Sequence, residues 1–185
     1  MTITYGFVTS TPETSAYSQS SMGANRILVQ RFEAPVSSGT FIVHGIGHAA
    51  CAYVTYQPTF KLAIFTDDAA NENPNTTVAG SDSGNQTTAR AHPAYGNEYF
   101  EYATPITLNG GSIYWIGCLV TAYTLYFNAE NNPSAGVTLI ADGYGDWPTP
   151  AQWDTFNYTG VYGYNWYAIY SLPPFSRITT PILTF

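Results

Sequence analysis

Phe60-Lys61-Leu62-Ala63-Ile64-Phe65-Thr66-Asp67-Asp68 is the stretch that decides the fold. Phe60, Leu62 and Ile64 fall on one face of an extended strand, and Lys61, Ala63 and Phe65 on the other, the period-two alternation of a strand covering a core. Asp67 and Asp68 end it, and Asn71, Asn73, Pro74 and Asn75 keep the chain turning. A second stretch answers it: Leu108-Asn109-Gly110-Gly111-Ser112-Ile113-Tyr114-Trp115-Ile116-Gly117-Cys118-Leu119-Val120. Gly110-Gly111 reads as a turn, and the run after it is the most apolar in the chain. The two segments are expected at the centre of an all-β sandwich.

Composition agrees. Hydrophobic residues make up 45% of the 185-residue chain and charged residues only 9%, against about 25% in an ordinary soluble domain. Sixteen tyrosines and ten phenylalanines supply bulk that suits strands, while sixteen glycines and twelve prolines supply breaks. The chain is long enough for one domain with a core of its own. The net charge is −7, with Arg26, Arg31, Lys61, Arg90 and Arg177 scattered singly. With no basic stripe or polybasic run, neither nucleic acid nor an anionic membrane surface is expected as a partner. No run is long enough to insert in a bilayer. Met1 to Phe7 lacks a basic region followed by an apolar core, so it does not read as a signal peptide. Either a signal has been removed, or the protein leaves its cell by another route; a virion component released by lysis needs none.

Working outward, residues 1–23 read as an N-terminal arm or loop, with a short strand within Thr2 to Val8. Ala24 to Glu33, Thr40 to His44 and His48 to Tyr56 read as strands, the last two separated by a break at Gly45-Ile46-Gly47. Ala69 to Ala94 is rich in Asn, Thr, Ser and Gly and reads as a long surface loop with an edge strand near Val78. Strands follow at Glu98 to Tyr102, Tyr123 to Asn128, Val137 to Ala141 and Trp166 to Ser171. Asp142 to Asp154 reads as a loop carrying two tryptophans. Pro173-Pro174 begins an extended tail over residues 173–185, leaving 24–172 as the sandwich. Eight to ten strands with turn signals between them suit two antiparallel sheets.

The order of segments, Leu-Ala-Ile-Phe-Thr-Asp-Asp (62 to 68), Asn73-Pro74, Leu108-Asn109-Gly110-Gly111 through Tyr114-Trp115, and Trp166 to Tyr170, resembles the jelly-roll sandwich modules of phage structural and bacterial cell-surface proteins. Asn75 stands where the turn glycine is usual, and Phe65 for a tyrosine. The resemblance implies display, adhesion or decoration, and an antiparallel jelly roll with long loops and extended termini. The leading expectation is a non-enzymatic virion structural protein that decorates a phage head or forms part of a fibre. Its partners would be copies of itself, a trimer first, and other capsid or fibre subunits. The rival is a carbohydrate-binding module or adhesin domain, extracellular or at a cell surface, that takes surface glycans.

Three sets of residues are candidates for binding or assembly, and the histidines, Ser112 and the cysteines are weighed beside them. Asp67, Asp68, Asn71 and Glu72 crowd oxygens into one turn, as calcium ligands do and as Asx turns also do; calcium is the one cofactor to consider. Trp147 and Trp153 with Asp142 and Asp146 could stack on a sugar, or hydrolyse one through paired carboxylates, or anchor their loop on the sandwich. Tyr158, Tyr162 and Tyr164, continued by Tyr167 and Tyr170, could form a subunit interface. His44, His48 and His92 have no nucleophile motif beside them and read as structural, and Ser112 lies in no Gly-x-Ser-x-Gly turn. Cys51 and Cys118 sit in apolar runs, free or bonded to each other.

Overall fold

The computed structural model describes residues 6–10, 18–35, 39–52, 56–91, 94, 96–131, 138–156 and 162–173. In chain order the strands are β1 (Gly6–Val8), β2 (Ser18–Met22), β3 (Arg26–Glu33), β4 (Thr40–Ala52), β5 (Thr59–Asp68), β6 (Asn73–Thr77) and β7 (Gln86–Thr87). Then come β8 (Gly96–Asn109), β9 (Ile113–Ala122), β10 (Leu125–Asn131), β11 (Thr138–Asp142), β12 (Tyr162–Tyr164) and β13 (Trp166–Ser171), with one short helix, α1 (Pro150–Trp153). They build an all-β sandwich of two sheets. One runs β11-β3-β9-β5-β6, with β7 also on β5; the other runs β1-β13-β4-β10-β12, with β8 on β4 and β2 on β10. The pairing is antiparallel except for β1 against β13. From β3 to β11 the chain passes repeatedly from one sheet to the other, β3, β5, β9 and β11 lying in one and β4, β8 and β10 in the other, with β6 and β7 following β5 in its own sheet.

The period-two reading of β5 holds. Phe60, Leu62 and Ile64 face the core between the sheets, alongside Leu28 of β3 and Ile116, Cys118 and Val120 of β9. Ala63 and Phe65 face outward with Ile27, Val29, Trp115 and Leu119, yet all six are buried. The outer face of this sheet is covered by the chain after β11, and Trp153 of α1 is fully buried there. The sheet is therefore apolar on both faces, which is why β9 reads as an unbroken apolar run.

Four expectations differ from what is found. Gly45-Ile46-Gly47 does not break a strand: β4 is continuous, and its irregularity is a bulge between Val43 and Gly45. A Cβ on Gly45 would lie 2.5 Å from the Tyr99 hydroxyl, and one on Gly47 would lie 2.7 Å from the Tyr167 ring. These glycines let the Phe100 and Glu98 carbonyls of β8, and tyrosine rings from β8 and β13, lie close against the β4 backbone. Second, much of the expected loop Ala69 to Ala94 is ordered on the edge of β5. Val78 and Ser83 donate backbone N–H groups to the carbonyls of Ile64 and Leu62. The Ser81 and Ser83 hydroxyls accept the Ile64 and Leu62 N–H groups, at 3.1 and 2.8 Å. Serine hydroxyls thus replace a ladder strand. Third, Ser18–Met22, expected as loop, is strand β2 on β10 with Met22 buried, while β1 falls within the short strand expected at Thr2 to Val8. Fourth, the strand expected at Glu98 to Tyr102 is longer, running from Gly96 to Asn109 as β8. Of the expected C-terminal tail, residues 174–185 lie outside the described residues.

Candidate functional site

The loop that closes the outer face begins at Asp142, where Arg26 and Asp142 stand opposite each other in the β3–β11 ladder and form a two-point ion pair. That bond holds the Asp142 carboxyl below the ordinary carboxylate range. Asp146 accepts from Lys61 Nζ at 2.9 Å and from the Trp147 N–H at 2.9 Å, and the lysine bond lowers its pKa first. Trp147 is half-buried, sets its ring edge-on against Phe65 with centroids 5.1 Å apart, and donates its indole N–H to Asp82 at 3.0 Å. Trp153 packs against Phe65 and Phe156 with no exposed surface. Trp153 therefore cannot stack on a sugar. The two tryptophans are loop anchors, and Asp142 and Asp146 each face a cation rather than each other.

The turn after β5 is equally committed. Asp67 accepts from Arg31 Nε at 3.1 Å and Nη2 at 3.0 Å, and from the Trp115 indole N–H at 2.7 Å. Its side chain is 8% exposed. Arg31 also lies 3.5 Å from Glu72. Asp68 accepts from the Ala70 N–H at 3.0 Å and from Asn71 Nδ2 at 3.1 Å, an Asx turn. Of the four residues weighed as calcium ligands, Asp67 and Glu72 hold a guanidinium, and Asp68 and Asn71 hold each other. Among the described residues no group of three or more His, Cys, Asp or Glu is placed to take a metal ion.

Beside this turn, where β5 ends and β9 begins, the surface opens into a recess of about 370 Å³. Thr66, Asp67, Asn109, Ser112, Ile113 and Tyr114 line it. Arg31 was legible as a strand residue but not as the clamp on Asp67. A charged side chain following Ile27 and Val29 on an otherwise apolar face was the available signal.

The tyrosines divide differently from the expectation. Tyr164 is buried in the core against Phe127, and Tyr167 is buried beneath Tyr99. Tyr164 is thus a core residue and not an interface ring. Tyr158 lies outside the described residues, and Tyr162 contributes backbone pairing in β12. Among the described residues the most exposed rings are instead Tyr56 and Tyr123, 56% and 54% exposed, stacked with centroids 4.9 Å apart and planes 8° apart. Tyr123 has φ 60°, a left-handed conformation rare for a bulky residue.

His48 is fully buried in the core among Phe60, Phe127 and Trp166, with ring centroids 5.0 to 5.5 Å away and no hydrogen-bond partner on either nitrogen. Burial pushes its pKa down to about 3. His44 Nε2 shares a 2.8 Å hydrogen bond with the Ser171 hydroxyl, and His92 lies outside the described residues. Cys51 and Cys118 are buried and do not form a disulfide, and burial raises the Cys118 pKa.

Fold and surface together define an all-β two-sheet sandwich whose ion pairs and indoles mostly close the fold itself. No family model matches the chain, and no curated protein matches it.

Proposed function

We propose that the chain is a non-enzymatic structural subunit of a virion, a jelly-roll sandwich that decorates a head or forms part of a fibre by associating with copies of itself. The observation that carries the reading is the exposed Tyr56–Tyr123 stack. Tyrosine is enriched where proteins meet, because it buries a large rigid ring and keeps a hydroxyl for water or a partner. Here two such rings stand in solvent, and Tyr123 sits on the β9–β10 turn in a left-handed conformation whose strain costs about 1–3 kcal/mol. Such strain persists where a site requires the geometry.

Two further features support association through side chains rather than through strand addition. β8 is an edge strand among the described residues, and Tyr102 to Pro105 bulge out of register opposite His44. A bulge, a proline and the acids Glu98 and Glu101 blunt an edge against pairing with another chain. The ion pairs also leave little free positive charge: Arg26, Arg31, Lys61 and Arg90 are all bound to carboxylates. The resemblance of the strand motifs to phage structural modules supports the virion assignment.

The test is sedimentation of Tyr56→Ser/Tyr123→Gly against the native chain. Glycine relieves the backbone strain at 123 while removing the ring, so weaker association cannot be ascribed to misfolding. The expected result is roughly tenfold weaker self-association with an unchanged or higher Tm. Association unaltered in the variant would overturn the assignment of this surface.

A further inference from the structure

We infer that the recess between the end of β5 and the β8–β9 turn is a binding site for a neutral polyhydroxylated ligand, a single pyranose unit. Its volume of about 370 Å³ falls in the roughly 300–1,000 Å³ range of small-molecule sites. Its walls carry what a sugar's two kinds of surface need. Ile113 offers apolar contact for C–H groups, while the Ser112 hydroxyl and the Asn109 amide offer hydrogen bonds; the Tyr114 ring behind them is buried in the core and the Thr66 hydroxyl is held by Thr76.

Asp67 gives the recess its fixed acceptor. Its side chain is more than nine-tenths buried, yet it lines the opening. Arg31 Nε and Trp115 Nε1 both bond Oδ1, and Arg31 Nη2 bonds Oδ2. A carboxylate offers about four acceptor positions, so Oδ2 keeps capacity for one more donor, such as a sugar hydroxyl. Three donors hold the carboxylate in one place, so a ligand would find it preorganised. Tyr114 is positioned as well, its hydroxyl accepting the Asn109 N–H at 3.0 Å.

Charge selects the ligand class. Arg31 is flanked by Asp67 and, at 3.5 Å, by Glu72, so the neighbourhood is net negative and opposes sugar acids and phosphates. The same guanidinium neutralises the carboxylate a cation would need. A neutral, hydroxyl-rich molecule remains. One sugar in an open recess binds weakly, and several copies in an oligomer would bind a glycan surface with useful avidity. The inference does not depend on the tyrosine stack and can fail or stand separately from it.

The experiment is an amide-resolved NMR titration of the whole chain with the methyl glycosides of glucose, galactose, mannose and N-acetylglucosamine, and with N-acetylneuraminate as an acidic comparator. The expected result is saturable shifts at Thr66 to Ala69 and Asn109 to Tyr114 for at least one neutral sugar. The Kd should be on the order of 1–10 mM, and the acid should have no effect. Ser112→Trp fills the recess and should weaken binding roughly tenfold. Asn109→Ala, milder and at an exposed position, should weaken it severalfold with an otherwise unchanged spectrum. The proposal is overturned if no neutral sugar gives saturable shifts up to about 50 mM. It is also overturned if the shifts map elsewhere, if both variants bind as the native chain does, or if the acid binds as well as the neutral sugars.

Discussion

Replacing His48 with leucine should remove most of the protein's sensitivity to mild acid. His48 lies wholly buried among Phe60, Phe127 and Trp166, and its pKa is lowered from 6.5 to about 3 by desolvation of the charged form. In the unfolded chain it takes a proton near pH 6.5; in the folded chain it does not until near pH 3. Stability is therefore full above pH 6.5 and is lost as pH falls through the window between the two values, at about 1.4 kcal/mol per unit. The whole window amounts to about 5 kcal/mol, and the step from pH 7 to pH 4.5 to about 2.5 kcal/mol. That is a large part of the 5–15 kcal/mol by which domains are usually stable. Urea unfolding at pH 7 and pH 4.5, native against His48→Leu, reads the difference directly. The native chain should lose about 2.5 kcal/mol more than the variant over that step. Because neither imidazole nitrogen has a partner, the variant should be close to native stability at pH 7, an apolar group of similar size replacing an unsatisfied polar one. His48→Gln, which also cannot titrate, guards against a leucine that packs badly. Equal acid sensitivity in all three proteins would refute the reasoning, as would an imidazole proton resonance of His48 that titrates near pH 6.5.

The remaining predictions concern the closure of the outer face. Trp153→Ala should cost roughly 3–5 kcal/mol, because it empties a fully buried indole site against Phe65 and Phe156, and thermal unfolding should show a Tm lower by roughly 10 °C. Gly117→Ala should destabilise by about 1–3 kcal/mol, since its Cβ would collide with Val29 Cγ1 and lie 2.9 Å from the Leu28 carbonyl oxygen. Gly145→Ala, where a Cβ meets nothing within 4 Å, should be near neutral in the same assay. Asp146→Asn should cost less than about 1 kcal/mol by urea unfolding, because the Lys61–Asp146 pair has an exposed carboxylate.

How much of this was legible follows from what side-chain pattern can encode. The alternation of β5 predicted both faces correctly, because strand periodicity is local and both faces are buried. Trp166 to Ser171 was legible as β13 for the same reason, a dense run of β-formers bounded by an asparagine and prolines. Gly45 and Gly47 were misread because a glycine that makes room for a ring has the same letter as one that turns the chain. Only the partners distant in sequence, the β8 carbonyls of Phe100 and Glu98 and the rings of Tyr99 and Tyr167, tell them apart. The Ser- and Thr-rich run after β6 was misread because a serine hydroxyl can replace a ladder bond only when a strand edge stands opposite it. In the candidate sites, the loop tryptophans were legible and their packing as loop anchors was among the readings open, but the partners that hold them, Phe65 and Asp82, were not, since those lie far away in sequence. The recess draws Thr66 and Asp67 from one strand and Ser112 and Tyr114 from a turn and the strand after it, an adjacency created by the β5–β9 ladder.

Light scattering of the native chain across a concentration series tests the central claim most directly. The account predicts a defined oligomer, a trimer or larger closed ring, whose mass persists on dilution and which the Tyr56→Ser/Tyr123→Gly variant weakens. A strict monomer at every concentration, identical to the variant, would contradict the reading of this protein as a self-associating structural subunit.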